Sequence, residues 1–222
     1  MVIEGIRGFN IRGCGASMPW KTKIMQYLDS IDPVAQKIGA INTIVNDNGT
    51  LLGYNTDYFA AKKLFSEYGV KEQTTILLLG TGGVAKAIVT ALHELNADIT
   101  VCCRTEEHAL DFAQQYKTKH IAWNERNTYT ADVLVNATPT GMTPDDTGIV
   151  IDPAAIINFT LIADLVIKPA NTKLITLAKE RHKKTIPGYM FTLQQAIKQF
   201  ELYTGKPAPS IVMEQAMQEL LR

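Results

Sequence analysis

Between residues 74 and 167, near-continuous apolar runs alternate with segments of helical periodicity, and this alternation strongly limits the folds open to the chain. The apolar runs are TTILLL from Thr74, DITVCC from Asp98, ADVLVNAT from Ala131 and LIADLVI from Leu161. Helical patterns lie between or after them, at Val84–Leu95, Glu106–Tyr116 and Thr172–His182. Strands that are apolar on both faces are typical of a parallel sheet covered by crossover helices. The sequence therefore predicts an α/β fold with a doubly wound parallel sheet of the Rossmann type.

The chain before residue 74 predicts a second, smaller α/β unit. We expect strands at Ile11–Ser17, Ile41–Asn46 and Thr50–Tyr54, with helices at Trp20–Ile31 and Thr56–Tyr68. A sheet this small leaves an edge strand exposed. The last two helices are predicted at Tyr189–Tyr203 and Ser210–Leu221, with Ser210 as the N-cap of the second.

Composition argues against several classes of function. Lys+Arg and Asp+Glu both number 22, and no basic stripe appears, so a nucleic-acid partner is not expected. No apolar run approaches the ~18 residues that span a bilayer, and the N-terminus lacks the apolar core of a secretory signal. The 3 cysteines cannot close a disulfide framework, and the 4 histidines have no metal-ligand spacing. We expect a cytoplasmic protein that handles small molecules, without a membrane partner or a metal site.

A glycine-rich turn follows the first strand of the predicted Rossmann unit. Gly80-Thr81-Gly82-Gly83-Val84-Ala85 joins that strand to a helix. Glycines let the backbone turn tightly and approach a pyrophosphate, and the free N–H groups of a helix N-terminus attract the phosphates. The context of strand, turn and helix favours dinucleotide binding, and the alternative is a tight turn that binds nothing.

The end of the next strand distinguishes between dinucleotides. An NAD site usually has an acidic residue there, whereas this chain has Arg104-Thr105. A guanidinium and a hydroxyl suit a 2′-phosphate, so NADP is the predicted cofactor. Glu106 and Glu107, which follow directly, weaken the prediction of NADP over NAD, but acidic residues are also favoured in the first turn of a helix.

Taken alone, Lys21 predicts a solvated surface charge, and Asp57 predicts a residue favoured near a helix N-terminus. A functional role for the two residues follows only from a wider sequence pattern. The segments GASMPWK, IGAINTIV, LLGYNTD, GTGGVAKA, CRT, VNATPTGM, DLVIKPANTKL and QQAIKQFELYTG occur in this order. This series resembles the shikimate dehydrogenases, and within them the divergent shikimate dehydrogenase-like branch. The resemblance covers nearly the whole chain.

The resemblance implies reversible hydride transfer between NADP and the 3-dehydroshikimate/shikimate pair or a close cyclic hydroxy acid. It implies a substrate domain at residues 1–57, truncated at its N-terminus, an NADP domain at 58–187, and C-terminal helices at 188–222 that return to the substrate domain. Lys21 matches the catalytic lysine and Asp57 its partner, a pair able to exchange the hydroxyl proton. The implied substrate-binding residues are Ser17, Asn42 and Gln195. The implied cofactor-binding residues are Gly80, Thr81, Gly82, Gly83, Val84, Ala85, Arg104, Thr105, Asn136, Ala137, Thr138, Met142, Val166 and Gly188.

The chain departs from the family pattern at three places. Gly15 stands where the family motif has asparagine, and Ile167 replaces a common tyrosine. The family also carries a further N-terminal strand–helix–strand portion, with a Ser-x-Ser pair for the substrate carboxylate, that nothing here matches. We therefore expect a fragment of a longer protein, with a natural short form of weakened or altered activity as the alternative. We also expect this chain to bind NADP more tightly than shikimate.

The sequence alone also leaves other functions open. Quinate is the nearest rival substrate, and a non-catalytic NADP-binding module is a different class. A folate-linked dehydrogenase explains the NTD and NATPTGM motifs less well. The expected partner is a small molecule, and a homodimer is one assembly that the sequence leaves open.

Overall fold

Six parallel strands form the larger of two sheets in the computed structural model, which describes residues 2–17 and 19–221. They are β5 (Thr75–Leu79), β6 (Asp98–Cys102), β7 (Lys119–His120), β8 (Val133–Asn136), β9 (Leu161–Asp164) and β10 (Lys184–Ile186). Their order is β10-β9-β8-β5-β6-β7, and every pairing is parallel. The order reverses between β5 and β8, which is the topological switch point of a Rossmann fold. The predicted fold class is confirmed.

Helices cover both faces of this sheet because its strands are apolar on both sides. They are α4 (Thr56–Glu67), α5 (Gly83–Glu94), α6 (Glu106–Tyr116), α7 (Lys173–Glu180) and α8 (Gly188–Thr204), followed by α9 (Ser210–Leu220). On one face Ile76, Leu78 and Val101 pack against α4 and α5 in the larger buried cluster. On the other face Leu77, Leu79 and Ile162 pack against α7. Within the described residues, no helix is long and apolar enough to cross a membrane.

Four short strands form the smaller sheet, in the order β1-β3-β4-β2. They are β1 (Gly13–Gly15), β2 (Ser30–Ile31), β3 (Thr43–Asp47) and β4 (Thr50–Tyr54), and the helices of this part are α1 (Val2–Gly8), α2 (Trp20–Lys23) and α3 (Pro33–Ile38). β1 is an edge strand of this sheet. The division of the chain at residue 57 remains a prediction, and α4 begins one residue before it.

The predicted helix at Trp20–Ile31 is wrong in its second half. After α2 the chain makes a 3-10 turn at Ile24–Tyr27 and then becomes extended. The reason is tertiary, because Asp29 pairs with β4: its N–H donates to the Leu51 carbonyl, and its carboxylate accepts from the Leu51 N–H at 2.6 Å. Ile31 consequently lies in β2 rather than on a helix face.

Helix α3 was not predicted, although its sequence carries clear signals for its start and its end. Asp32 caps this helix by accepting from the N–H groups of Val34 and Ala35, Pro33 is its first residue, and Gly39 ends it with φ +72°. Asp-Pro followed by glycine is a regular pattern of helix start and stop. Conversely, Ser210 is not an N-cap, because α9 begins at Ser210 itself, after Pro209 and without a capping side chain.

Candidate active site

Lys21 and Asp57 meet although they lie 36 positions apart in the chain. Lys21 Nζ donates to Asp57 Oδ2 at 2.6 Å. The Asp57 side chain is only 4% exposed, whereas that of Lys21 is 22% exposed. The pair is therefore buried on the carboxylate side and open on the ammonium side, which leaves the remaining Lys21 protons within reach of a ligand.

Asp57 is held by the start of α4 and by α8. Asn55 caps α4, with its Oδ1 accepting from the Tyr58 N–H, and its Nδ2 donates to the Ala40 carbonyl. Asp57 lies in the first turn, where the helix dipole favours a negative charge. Gln195 of α8 donates from Nε2 to Asp57 Oδ1. Each carboxylate oxygen thus has its own donor, so Asp57 has little freedom to turn.

Lys21 is positioned by its backbone as well as by its ion pair. It lies in α2, and its carbonyl accepts from the Ile41 N–H at 2.9 Å. This bond ties α2 to the chain entering β3. A lysine held against a fixed carboxylate, with one side open, is suited to donate a proton to, or accept one from, a bound oxygen atom.

Asn42 lies next to this pair within a buried hydroxyl network. Its Oδ1 accepts from the N–H and hydroxyl of Thr56, at 2.7 and 3.0 Å, and from the Thr43 hydroxyl at 2.9 Å. Among the described residues, none accepts from Asn42 Nδ2, so that amide remains available to a ligand. Ser17 is exposed and borders a cavity of about 400 Å³ together with Gly15 and Trp20.

A second cleft lies at the carboxyl ends of β5, β6 and β8, where open α/β sheets bind their ligands. It measures about 440 Å³. Of the predicted cofactor residues, it is lined by Gly80, Thr81, Gly82, Arg104, Thr105, Ala137, Thr138 and Met142. Trp123 and His108 also line this cleft, although no motif in the sequence pointed to either residue.

The glycine-rich turn is shaped for close approach. Gly80 has φ +105°, and a Cβ there would lie 3.0 Å from the Ala137 carbonyl oxygen. An added Cβ at Gly82 or Gly83 would meet nothing within 4 Å, so the start of α5 is open. No described side chain caps α5, and the first N–H groups of this helix therefore remain available to an anion.

The other predicted cofactor residues are not among those that line this cleft. Ala85 and Asn136 are fully buried, and Val84 packs against the core. Gly188 contacts Val166 so closely that a Cβ on Gly188 would lie 2.2 Å from the Val166 carbonyl oxygen. These residues pack within the fold, and a cofactor-binding role for them remains a prediction.

One buried acid had no role in the sequence analysis. Asp164, at the end of β9, is fully buried and accepts from Asn136 Nδ2 at 3.0 Å, the Val166 N–H at 3.1 Å and the Thr172 hydroxyl at 2.6 Å. Asn136 Oδ1 in turn accepts from the N–H and hydroxyl of Thr138. Asp164 thereby ties the loop after β8 to the loop after β9. Burial raises the pKa of Asp164 to about 6, against the lowering effect of its hydrogen bonds.

We expect this carboxyl to leave a signature in stability against pH. Because its folded pKa is raised above the ordinary 3.8, folding favours its protonated form. That contribution is present below pH 3.8 and is lost as the pH rises through about 6. Asp164→Asn keeps the shape, and the Thr172 hydroxyl can reorient toward the new amide. Relative to this variant, the wild type should gain ~2 kcal/mol of unfolding free energy between about pH 7 and about pH 4. Urea unfolding at each pH measures the difference, and parallel curves would contradict the assignment.

Helix α8 connects the two halves of the site. It begins at Gly188 against Val166, and seven residues later Gln195 reaches Asp57. Seven residues of α-helix span about 10 Å. Along α8, the Lys21–Asp57 pair is therefore separated from the carboxyl edge of the large sheet by about 10 Å.

Comparison with known proteins gives a consistent result. Residues 1–44 match the family profile described as "Shikimate dehydrogenase substrate binding domain", and residues 60–143 match "Shikimate / quinate 5-dehydrogenase". A shikimate dehydrogenase-like protein of Haemophilus influenzae is 38% identical over 96% of this chain and 80% of its own length. A shikimate dehydrogenase (NADP(+)) of Dehalococcoides mccartyi is 36% identical over 96% of this chain and 78% of its own.

Solved structures extend the similarity to three dimensions. The shikimate 5-dehydrogenase of Thermus thermophilus, solved in complex with NADP(H) and shikimate, superposes with a TM-score of 0.89. It is 28% identical and covers 98% of this chain and 82% of its own. The resemblance inferred from the motifs is confirmed: the chain belongs to the shikimate dehydrogenase family.

Proposed function

We propose that this protein is an NADP-dependent oxidoreductase that interconverts 3-dehydroshikimate and shikimate, or a close cyclic hydroxy acid. The observation that carries the proposal is the 2.6 Å contact of Lys21 with Asp57, with Gln195 on the other carboxylate oxygen. Membership of the shikimate dehydrogenase family supports it. A protein that only binds a nucleotide has no need of such a pair.

The chain's own residues perform the proton transfer in this proposal. Reduction of a ketone places negative charge on its oxygen, and the Lys21 ammonium supplies the proton that neutralises it. Asp57 holds the ammonium in place, and Gln195 holds Asp57. In the reverse direction the Lys21 amine accepts the hydroxyl proton. When bound, NADP(H) supplies or accepts the hydride.

Three polar side chains, those of Asn42 and Gln195 beside the pair and of Ser17 four residues before Lys21, are suited to a polyhydroxylated ring. Asn42 presents Nδ2 as a donor, and Ser17 presents a hydroxyl that both donates and accepts. Gln195 uses one N–H on Asp57, and its carbonyl oxygen, which accepts from no described residue, is available to a ligand. We assign substrate binding to Ser17, Asn42 and Gln195 on these grounds.

The residues of the second cleft fit NADP. Its glycine turn leaves the N-terminus of α5 open to a pyrophosphate. Arg104 lines the same cleft, is exposed, and forms no hydrogen bond or ion pair with any described residue. Beside it, Thr105 precedes α6 at the N-cap position, and its hydroxyl forms no hydrogen bond with any described residue. A free guanidinium, a free hydroxyl and a helix N-terminus together suit a 2′-phosphate.

Replacing Arg104 by glutamine is expected to change cofactor choice. A charge-assisted hydrogen bond to phosphate contributes about 1.5–3 kcal/mol, so KM for NADPH should rise about 10- to 100-fold. KM for NADH, which lacks the 2′-phosphate, should change little. Arg181→Gln is the control, because it removes the same charge at the opposite, amino-end edge of the sheet. Equal changes for both cofactors would remove Arg104 from 2′-phosphate recognition.

Turnover is the test of the proposed function as a whole. NADPH oxidation is followed by absorbance with 3-dehydroshikimate and with 3-dehydroquinate, and NADP binding is measured separately by calorimetry. We expect turnover, with 3-dehydroshikimate as the better substrate. Preference for 3-dehydroquinate would shift the assignment to a quinate enzyme. NADP binding without turnover of either compound would identify a non-catalytic NADP-binding module and overturn the proposal.

The proposal also includes a cytoplasmic location and leaves a homodimer as one assembly to be tested. Sedimentation of the purified chain measures the second point. Neither affects the chemistry assigned to Lys21 and Asp57, because both residues belong to one chain.

A further inference from the structure

Two glycines of β1 determine how α8 lies on the small sheet. A Cβ on Gly13 would lie 2.2 Å from the ring of Tyr203, so that ring occupies the place of a side chain at position 13. A Cβ on Gly15 would have Gln199 Nε2 at 4.0 Å and the Asn42 carbonyl oxygen at 3.8 Å. Tyr203 of α8 therefore fills the place above Gly13, and the Gln199 carboxamide lies beside Gly15, which is itself exposed.

The residue spacings in β1 and α8 explain why one side chain of α8 lies near each glycine of β1. Residues 13 and 15 point to the same face of the strand and lie about 7 Å apart. Residues 199 and 203 lie one helical turn apart, at about 6 Å along the axis. The helix thus supplies one side chain above each glycine, and the one above Gly15 is a carboxamide.

Gln199 is also connected to the substrate-binding network. Its Nε2 donates to the Thr43 hydroxyl at 3.0 Å, and that hydroxyl donates to Asn42 Oδ1. Thr43 is the ladder partner of Gly15. Gln195, which holds Asp57, lies one turn earlier on the same helix face. Among the described residues, none donates to Gln199 Oε1, and the side chain is half-buried.

We propose that Gln199 is a further substrate-binding residue that determines specificity from the α8 side, above Gly15. This inference rests on the proposed function. Its free Oε1 accepts a hydrogen bond from a ring hydroxyl of the cyclic hydroxy acid, while Nε2 keeps the residue anchored to Thr43. Gly15 permits this arrangement because it leaves the space between β1 and α8 to the glutamine.

A purely structural role for Gln199 is the alternative, because its bond to Thr43 also joins α8 to β3. The two roles differ in what they change. Loss of a substrate contact raises KM for the substrate and leaves KM for NADPH unchanged. Loss of packing lowers thermal stability and alters both KM values together with kcat.

Gln199→Ala and Gln199→Met are the test variants, the second preserving the length of the side chain. A site that has lost a hydrogen bond to substrate loses about 1.4 kcal/mol or more, which is a tenfold effect. We expect KM for 3-dehydroshikimate to rise at least about tenfold in both, with kcat and KM for NADPH within about twofold of wild type. Gln194→Ala is the matched control, since Gln194 lines a groove with Phe59 and Lys62 on another side of α8.

Gly15→Asn in the Gln199→Ala background provides a rescue test. A Cβ at position 15 makes only ordinary contacts, at 3.8 and 4.0 Å, and the position has no left-handed φ. The new asparagine places a carboxamide in the vacated space, so KM should fall back toward the wild-type value. In the presence of Gln199, the same substitution should instead raise KM, because the two carboxamides compete for one space.

Each outcome is informative. An unchanged KM in both Gln199 variants, in a wild type that turns over 3-dehydroshikimate, would overturn this inference alone. Parallel losses in stability, kcat and both KM values, without rescue by asparagine at position 15, would assign Gln199 to structure and also overturn it. A wild type that turns over no cyclic hydroxy acid would overturn the proposed function and this inference with it.

Discussion

Lys21→Ala is expected to lower kcat with 3-dehydroshikimate by about 10²- to 10⁴-fold, which is the range for loss of a positioned proton donor. NADP binding should stay within about twofold of wild type, because Lys21 does not line the glycine-turn cleft and forms no hydrogen bond or ion pair with a described residue that does. The measurement pairs stopped-flow NADPH oxidation with calorimetric titration of NADP. The loss belongs to kcat rather than to KM, because the proton is transferred only as the reaction proceeds.

Lys23→Ala is the control for this variant. Lys23 lies in the same short helix and is exposed, and it makes no ion pair with any described residue. Its replacement should leave kcat unchanged. If Lys21→Ala turned over as fast as the wild type, Lys21 would have no catalytic role and the proposed mechanism would be wrong.

Gly188→Ala is expected to disrupt the molecule at the point where its two halves are joined. The new Cβ would lie 2.2 Å from the Val166 carbonyl oxygen and 2.8 Å from the Leu165 carbonyl carbon. These neighbours are backbone atoms, so α8 itself has to move. We expect a loss of about 1–3 kcal/mol in unfolding free energy. Because α8 carries Gln195, a shift of about 1 Å at the Lys21–Asp57 pair should also lower kcat/KM by about 10²-fold under the proposed mechanism.

Gly5→Ala is the matched control, because a Cβ there meets nothing within 4 Å. Gly5 lies inside α1, where alanine is the better helix former, so stability should hold or rise slightly. Thermal unfolding and kcat/KM are measured on both variants. A Gly188→Ala protein with wild-type stability and kcat/KM would contradict the claim that close packing at Val166 positions the catalytic pair.

The large sheet was predictable because its information is local. Strands such as Ile76–Leu79 are buried on both faces, so an unbroken apolar run identifies them without reference to the rest of the fold. The small sheet depends on long-range pairing instead. Ile31 is extended because it pairs with Gly53, a partner that helical periodicity in its own segment cannot reveal.

The site residues likewise divide into those with local sequence signals, which were predicted, and those that depend on distant partners, which were not. The glycine turn and Arg104 follow from their places after two successive strands, since parallel strands bring their carboxyl ends to one edge. The residue types of Lys21 and Asp57 do not by themselves predict a catalytic role, because a surface lysine and an aspartate at a helix N-terminus are both common. The family resemblance was needed to pair them. Asp164 and Gln199 were missed because their importance depends on partners in other elements, such as Thr172 and Thr43.

A crystal structure of the chain with NADP+ and 3-dehydroshikimate, an oxidised pair that cannot react, tests the central claim most directly. The account predicts that the ketone oxygen lies within about 3.2 Å of Lys21 Nζ, the distance that proton transfer requires. It also predicts that the Lys21–Asp57 contact of 2.6 Å is retained. A substrate bound with its ketone away from Lys21, in an otherwise intact complex, would contradict the account.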